Sequence, residues 1–270
     1  MPKQVIDVSG AASQPRSRFL SYGPSRTGKT AFAATFPRPL FLSDQSEGGW
    51  ETIRHLDRAR FYEPDKVPEV WAIPDAQSMF ESLAEIRAML AADPTRYGTV
   101  VIDSLSFYAD SYFAQLQASV GKTTDSWKLY QNLADHIRVL MIQFHTLPVH
   151  VVWICLESPA GEGEQTGGIS LPGQSARKAP ARCDFWFYHR TFTERVGAAP
   201  IYEVRTRRFG QFPCGGRDGG ILPDPITNPS YRDIEEGLGW PKLVVPEPNR
   251  PRAATRRVVG IPGNGARATE

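Results

Sequence analysis

The sequence predicts an α/β fold: a mostly parallel central sheet flanked by helices, followed by a late antiparallel hairpin. Three observations lead there. Short apolar stretches such as PLFLS (39–43), TVVI (99–102) and HVVWICL (150–156) show no polar alternation, which marks strands covered on both faces. Segments with helical apolar spacing lie between them. Two further strand-like runs, 184–190 and 202–209, are joined by a turn near Gly197.

The elements follow in order. Residues 1–16 are small and polar and read as a flexible N-terminal segment. Residues 19–22 give the first strand. Residues 29–36 are helix-like and stop at Pro37, which has no N–H to continue a helix. Strands are expected at 39–43 and 70–73. Over 77–91, Met79, Phe80, Leu83, Ile86 and Leu90 recur at helical spacing. A strand at 99–102 precedes helices at 107–120 and 127–146, and a strand at 150–156 closes the series. After Glu157 the texture changes. Residues 161–180 are rich in Gly, Ser and Pro, offer little to bury, and read as a long mobile loop. Beyond the hairpin, Asn228 caps a short helix with Pro229 in its first turn, running to about Gly237. From Pro241 the chain is rich in Pro and Arg and lacks apolar periodicity, so 241–270 reads as a disordered basic tail. One folded unit, 17–240, is expected between the two ends.

Composition narrows the function. At 270 residues and 41% hydrophobic content the chain can bury a sizeable core. A net charge of +2 is too small to argue for nucleic acid or membrane by itself. Cys155, Cys183 and Cys214 are far apart and form no C-x-x-C pair. That speaks against a disulfide framework or zinc site and for a reducing compartment. No stretch approaches the ~18 apolar residues needed to span a bilayer, and MPKQVIDVSGAASQPRSR lacks a signal peptide's apolar centre. The expectation is a cytoplasmic protein with no membrane partner.

The segment GPSRTGKT (Gly23, Pro24, Ser25, Arg26, Thr27, Gly28, Lys29, Thr30) fits G-x-x-x-x-G-K-[ST]. The glycines allow backbone angles that turn successive N–H groups toward phosphate oxygens. Lys29 would reach the β- and γ-phosphates of ATP, and the Thr30 hydroxyl would hold Mg²⁺. Strand before and helix after complete the context. Gly121-Lys122-Thr123 repeats the ending, but position 116 is Leu, so it lacks the spacing. Such a site also needs a carboxylate at the end of a nearby buried strand. Asp103, closing TVVID, supplies it at the edge where ligands collect in parallel sheets. Hydrolysis needs a group to orient or deprotonate water. Asp44 and Glu47 in FLSDQSEGGW both qualify, with Gly48-Gly49 allowing that turn a close approach. Glu157, ending HVVWICLE, is a candidate sensor of the γ-phosphate.

The order GPSRTGKT, PLFLSDQSEGGW, TVVIDSLS, HVVWICLES resembles the phage and bacterial RecA-like P-loop ATPases. These are AAA-domain nucleotide-binding proteins that include the phage single-strand annealing ATPases. The segment LPGQSARKAPARCDFWFY is similar to a Pro/Gly/Lys loop of the same family. The resemblance spans residues 17–240. It implies a RecA-type core, ATP hydrolysis with Mg²⁺, and assembly of identical subunits into a ring or filament with ATP between them. It also implies action on single-stranded DNA in phage recombination or replication, in the host cytoplasm if the chain is phage-encoded. A single-strand binding protein is a further candidate partner. The resemblance implies Glu47 as the catalytic acid, although the spacing of Asp44-Gln-Ser-Glu47 departs from the family pattern.

Basic residues supply the remaining candidates. Alternation along the second late strand would place Arg205 and Arg207 on one face and Arg208 on the other. In RecA-like assemblies such a residue reaches the neighbouring subunit's γ-phosphate, a task suited to arginine's donor fork. Arg177 and Lys178 in the 161–180 loop are candidates for a DNA backbone, and the arginine tail would add salt-sensitive attraction. Phe185, Trp186, Phe187 and Tyr188 read first as core and second as base platforms. Two rival functions share the same cradle: a small-molecule kinase, and a DNA-annealing module in which ATP is structural.

Overall fold

The computed structural model describes residues 16–119, 126–161 and 166–242. The proposed flexible segment up to residue 15, the GKT repeat at 121–123 and the basic tail from 243 lie outside the described residues.

The first strand, β1 (Arg18–Gly23), sits near the middle of the sheet and leads into α1 (Lys29–Ala33). Then come β2 (Pro39–Asp44), the short α2 (Glu51–Arg54), a single 3₁₀ turn at Arg58–Arg60, β3 (Glu69–Ile73) and α3 (Ala76–Ala92). Next are β4 (Thr99–Asp103), α4 (Leu105–Ser119), α5 (Ser126–Phe144) and β5 (His150–Ser158). The last part holds β6 (Gly168–Ile169), α6 (Ser175–Lys178), β7 (Phe185–Phe192), β8 (Ile201–Arg205), β9 (Gly215–Gly216), β10 (Ile226–Thr227) and α7 (Tyr231–Gly237).

Strand order is β10-β8-β7-β1-β5-β4-β2-β3, with β6 on β5 and β9 on β7. From β7 to β3 all neighbours are parallel. The hairpin is antiparallel, as β7 pairs β8 through His189↔Val204. Its first arm does more than the sequence indicated. β7 also lies parallel beside β1, with Leu20 opposite Trp186, and so extends the parallel sheet.

Continuous apolar strands make sense because both faces are covered. On one face Leu20, Tyr22, Leu42, Ile102 and Trp153 pack under α3, α4 and α5. On the other Phe19, Phe41, Val101 and Val152 meet α1 and α7. Strand alternation sends successive residues to opposite layers. The aromatic run of β7 belongs to this core: Phe185 and Phe187 lie in one layer and Tyr188 in the other. Phe19 stacks on Phe185 at 5.0 Å between centroids and meets Phe36 edge-on at 5.0 Å.

Four local expectations need correction. Residues 166–180 are not a loop with nothing to bury. Ile169, Leu171, Ser175 and Ala179 are buried, and β6 and α6 form there. Sparse apolar residues were enough because they dock onto a surface already made by α4 and α5. The last helix is capped by Ser230, not Asn228. Ser230 shares a capping box with Asp233, whereas Asn228 takes a left-handed φ of 48°. The helix after the glycine loop ends at Ala33, three residues earlier than expected. β8 ends at Arg205, so the alternation expected through Arg208 stops there.

Two histidines, buried His150 and half-buried His145, tie the layers and set an acid limit. His150 Nδ1 accepts from the Ser17 amide at 3.2 Å and Nε2 meets the Tyr231 hydroxyl at 3.1 Å. His145 Nε2 accepts from Trp153 Nε1 at 3.0 Å. Both must be neutral to accept, and burial pushes both down to about 4. The unfolded chain takes these protons near pH 6.5 and the folded chain does not. Stability is therefore fully present above 6.5 and falls from there toward pH 4. The expected loss is up to about 1.4 kcal/mol per pH unit for each histidine. Thermal melts across that window check this; a flat profile contradicts it.

Candidate functional site

The turn between β1 and α1 carries the glycine-rich segment. Gly23 has φ +152°, and a Cβ there would collide with the backbone carbonyl of His189 on β7. Gly28 has φ +83°, and its Cβ would come within 2.8 Å of the Tyr202 ring. These two positions therefore require glycine, for backbone freedom and for space. Arg26 is also left-handed, at φ 64°. The loop closes on its own lysine: Lys29 Nζ donates to the Gly23 carbonyl at 3.0 Å and the Pro24 carbonyl at 2.6 Å. Thr27 Oγ1 also donates to the Pro24 carbonyl, at 2.8 Å. Burial lowers the Lys29 ammonium below its ordinary value, with the Asp103 charge acting against that.

Asp103 closes β4, which lies one strand away from β1 because β5 runs between them. It is 2% exposed. Thr30 Oγ1 donates to Asp103 Oδ2 at 2.8 Å. Burial first, and the nearby Glu47 second, push the Asp103 carboxyl up to about 7. The turn after β2 folds over this pair. A Cβ on Gly49 would sit 3.4 Å from Asp103 Oδ2 and 3.7 Å from Thr30 Oγ1. Glu47 Oε2 accepts from the Ser104 amide at 2.8 Å. Burial raises the Glu47 carboxyl, while the Ser104 hydrogen bond works against it.

The two candidate acids have different fates. Asp44 accepts from the Ser46 amide at 2.8 Å, from the Ser46 hydroxyl, and from the Ser111 hydroxyl at 2.9 Å. It is spent on its own turn and on α4. Glu47 lines the cleft. That cleft holds about 690 Å³ and runs along the loop from Ser25 to Ala31, past Glu47, Asp103 and Ser104, to Tyr202. Its size is ordinary for a small-molecule site.

The donors suit a magnesium–nucleotide. A hydroxyl and a buried carboxylate are hard oxygen ligands, and Mg²⁺ takes one or two such groups plus phosphate oxygens and water. Among the described residues no three His, Cys, Asp or Glu groups form an all-protein metal cage. Thr30 and Asp103 are the residues that would hold the ion, and Gly49 leaves space beside them.

The other candidates lie elsewhere. Glu157 accepts from the Tyr188 hydroxyl at 2.9 Å on the rim of β5 and does not line the cleft. Arg205 grips Asp224 with two contacts, 2.7 and 3.1 Å, and lies over the Phe209 ring at 4.8 Å. Its fork is engaged within its own chain. Arg207 donates to the Gly220 carbonyl at 2.6 Å and Arg208 to the Gly210 carbonyl at 3.2 Å. Arg177 and Lys178 are exposed on α6, in a groove against α5. Sequence reading missed Tyr202 at Gly28 and the Ser104 amide at Glu47. A tyrosine in a hairpin carries no spacing signal toward a glycine 174 residues earlier.

A glycine loop from the central strand, its lysine and threonine, and a buried acid across the same cleft define a P-loop nucleoside-triphosphatase fold. The chain belongs to the AAA domain family (AAA_24), whose profile matches residues 16–194. That family is one of nucleotide-binding ATPases, and the match covers every residue of the cleft up to Leu156. Among curated proteins none matches the chain. Among the described residues no helix is long and apolar enough to cross a membrane.

Proposed function

We propose that the chain hydrolyses ATP with Mg²⁺ and acts on single-stranded DNA in phage recombination or replication. The carrying observation is the Thr30–Asp103 contact at 2.8 Å with Glu47 anchored on the adjoining Ser104 amide. Bound Mg²⁺ would balance phosphate charge. Lys29 neutralises the triphosphate, and Thr30 and Asp103 hold the ion. Glu47 takes the proton of the attacking water, a role its raised pKa suits. Asp44 is left out because its oxygens are already engaged.

The DNA half rests on the resemblance to RecA-like proteins and on the exposed basic residues Arg177 and Lys178. Assembly into a ring or filament, with a single-strand binding protein as a further partner, rests on the resemblance alone. Arg207 and Arg208 are better placed than Arg205 for a neighbouring subunit, being exposed and, among the described residues, held by backbone carbonyls.

Turnover of ATP is expected to rise on adding single-stranded DNA and to fall as salt increases. Phosphate release with and without oligonucleotide checks it. Turnover that ignores every nucleic acid removes the DNA half. Transfer of phosphate to a metabolite instead of water would favour the kinase reading.

A further inference from the structure

Among the described residues, three other than glycine hold a left-handed backbone: Arg26 at φ 64°, Arg38 at φ 38° and Asn228 at φ 48°. A side chain strains that conformation, and such strain persists where the surroundings enforce it or where function uses it. Two of the three have contacts that hold them. Arg38 pairs with Glu63 at 3.3 Å, and its carbonyl accepts from the Gly98 amide at 3.2 Å. Asn228 donates its amide to the Tyr202 carbonyl at 2.7 Å, and its Oδ1 accepts from the Tyr202 amide at 3.4 Å. Arg26 is exposed, and among the described residues its guanidinium makes no hydrogen bond or ion pair. Glycine would adopt the same backbone angle freely, yet the chain carries an arginine.

The surroundings of that side chain supply a reason. Arg26 lines the nucleotide cleft together with Lys29, Glu47 and Asp103. The charges there do not favour a terminal phosphate. Glu47 and Asp103 are acids, and the Lys29 ammonium already feels both. Lys29 is also buried and bound to two loop carbonyls. Arg60, the other arginine lining the cleft, donates to the Pro229 carbonyl at 3.2 Å. Arg26 therefore keeps its whole donor fork available, and that fork matches phosphate oxygens in a two-point contact. Of the three phosphates of ATP, the terminal one carries the most charge and gains most from a further cation.

We propose that the Arg26 guanidinium binds the terminal phosphate of ATP held by its own loop, and that this contact lets the site distinguish ATP from ADP. The inference rests on the reading of the cleft as an ATP site and adds a side-chain grip to the one that the loop amides offer. The backbone strain at Arg26 is then the cost of aiming a cation into the cleft from the tip of the loop.

The test is calorimetric titration of the full chain with magnesium–ADP and with the magnesium complex of a non-hydrolysable ATP analogue. Arg26→Gly should bind the triphosphate roughly tenfold more weakly or worse, as expected on losing a hydrogen bond to a charged group, and should bind ADP as wild type does. Its melting temperature without nucleotide should hold or rise, since glycine takes φ 64° freely. A merely structural role would weaken both nucleotides together and lower the melting temperature. Arg26→Lys should recover part of the triphosphate affinity, because it keeps the charge without the fork. If wild type binds both nucleotides and Arg26→Gly keeps its triphosphate affinity, or loses both affinities equally, the assignment is overturned and the ATP site stands. Recovery of ATP turnover on mixing Arg26→Gly with Lys29→Ala would place the guanidinium in a second subunit and overturn it too. If wild type binds no magnesium–nucleotide, the ATP reading falls and takes this role of Arg26 with it.

Discussion

Lys29→Ala is expected to lower ATP turnover by about 100-fold or more and to remove most magnesium–nucleotide affinity. The lysine is 7% exposed at the base of the loop, within reach of the Gly23 and Pro24 carbonyls. On the proposed function its ammonium would meet the triphosphate in a dry site, where removal of one well-placed donor costs roughly 10²–10³ in rate. The fold should survive. Burial already disfavours the charged amine, so removing it relieves a desolvation cost even as two carbonyl contacts are lost. Phosphate release and titration with a fluorescent ATP analogue read the two effects, and a melting curve reads the third. Near-wild-type turnover in this variant would sink the assignment of the cleft.

Glu47→Gln separates binding from chemistry. The amide keeps the shape and can still accept from the Ser104 N–H, but it cannot take a proton from water. Turnover should fall about 10²–10⁴-fold, the range a positioned general base supplies, while ATP affinity stays within a few-fold of wild type. Asp44→Asn should behave differently. Asp44 holds Ser46 and Ser111, so its loss should lower the melting temperature more than it lowers turnover relative to Glu47→Gln. A pair of variants with the opposite ranking would transfer the catalytic role to Asp44.

Much of the site was legible because its signals are local. Gly23, Gly28, Lys29 and Thr30 are fixed by the geometry of one turn, so their spacing survives in the sequence. Asp103 was legible because a carboxylate directly after four buried β residues is costly unless something uses it. Other parts were not legible, for reasons of the same kind. Asp44 and Glu47 lie three residues apart in one turn, and only the position of Ser104 and Ser111 across the cleft tells them apart. Segment 166–180 looked empty because its few apolar residues find their partners in helices far back along the chain. Arg205 looked like a free cation because Asp224, its partner, is distant in sequence.

By itself, the sequence determined that this chain builds a parallel α/β sheet with a glycine-rich phosphate loop at one strand end and a buried acid at another. Both depend on side-chain period and backbone freedom, which act over a few residues. Only the tertiary structure decided that β7 completes the parallel sheet beside β1 and that Glu47 and not Asp44 faces the cleft. Those outcomes depend on which distant surfaces meet, and burial and hydrogen bonding choose among them only once the layers have packed.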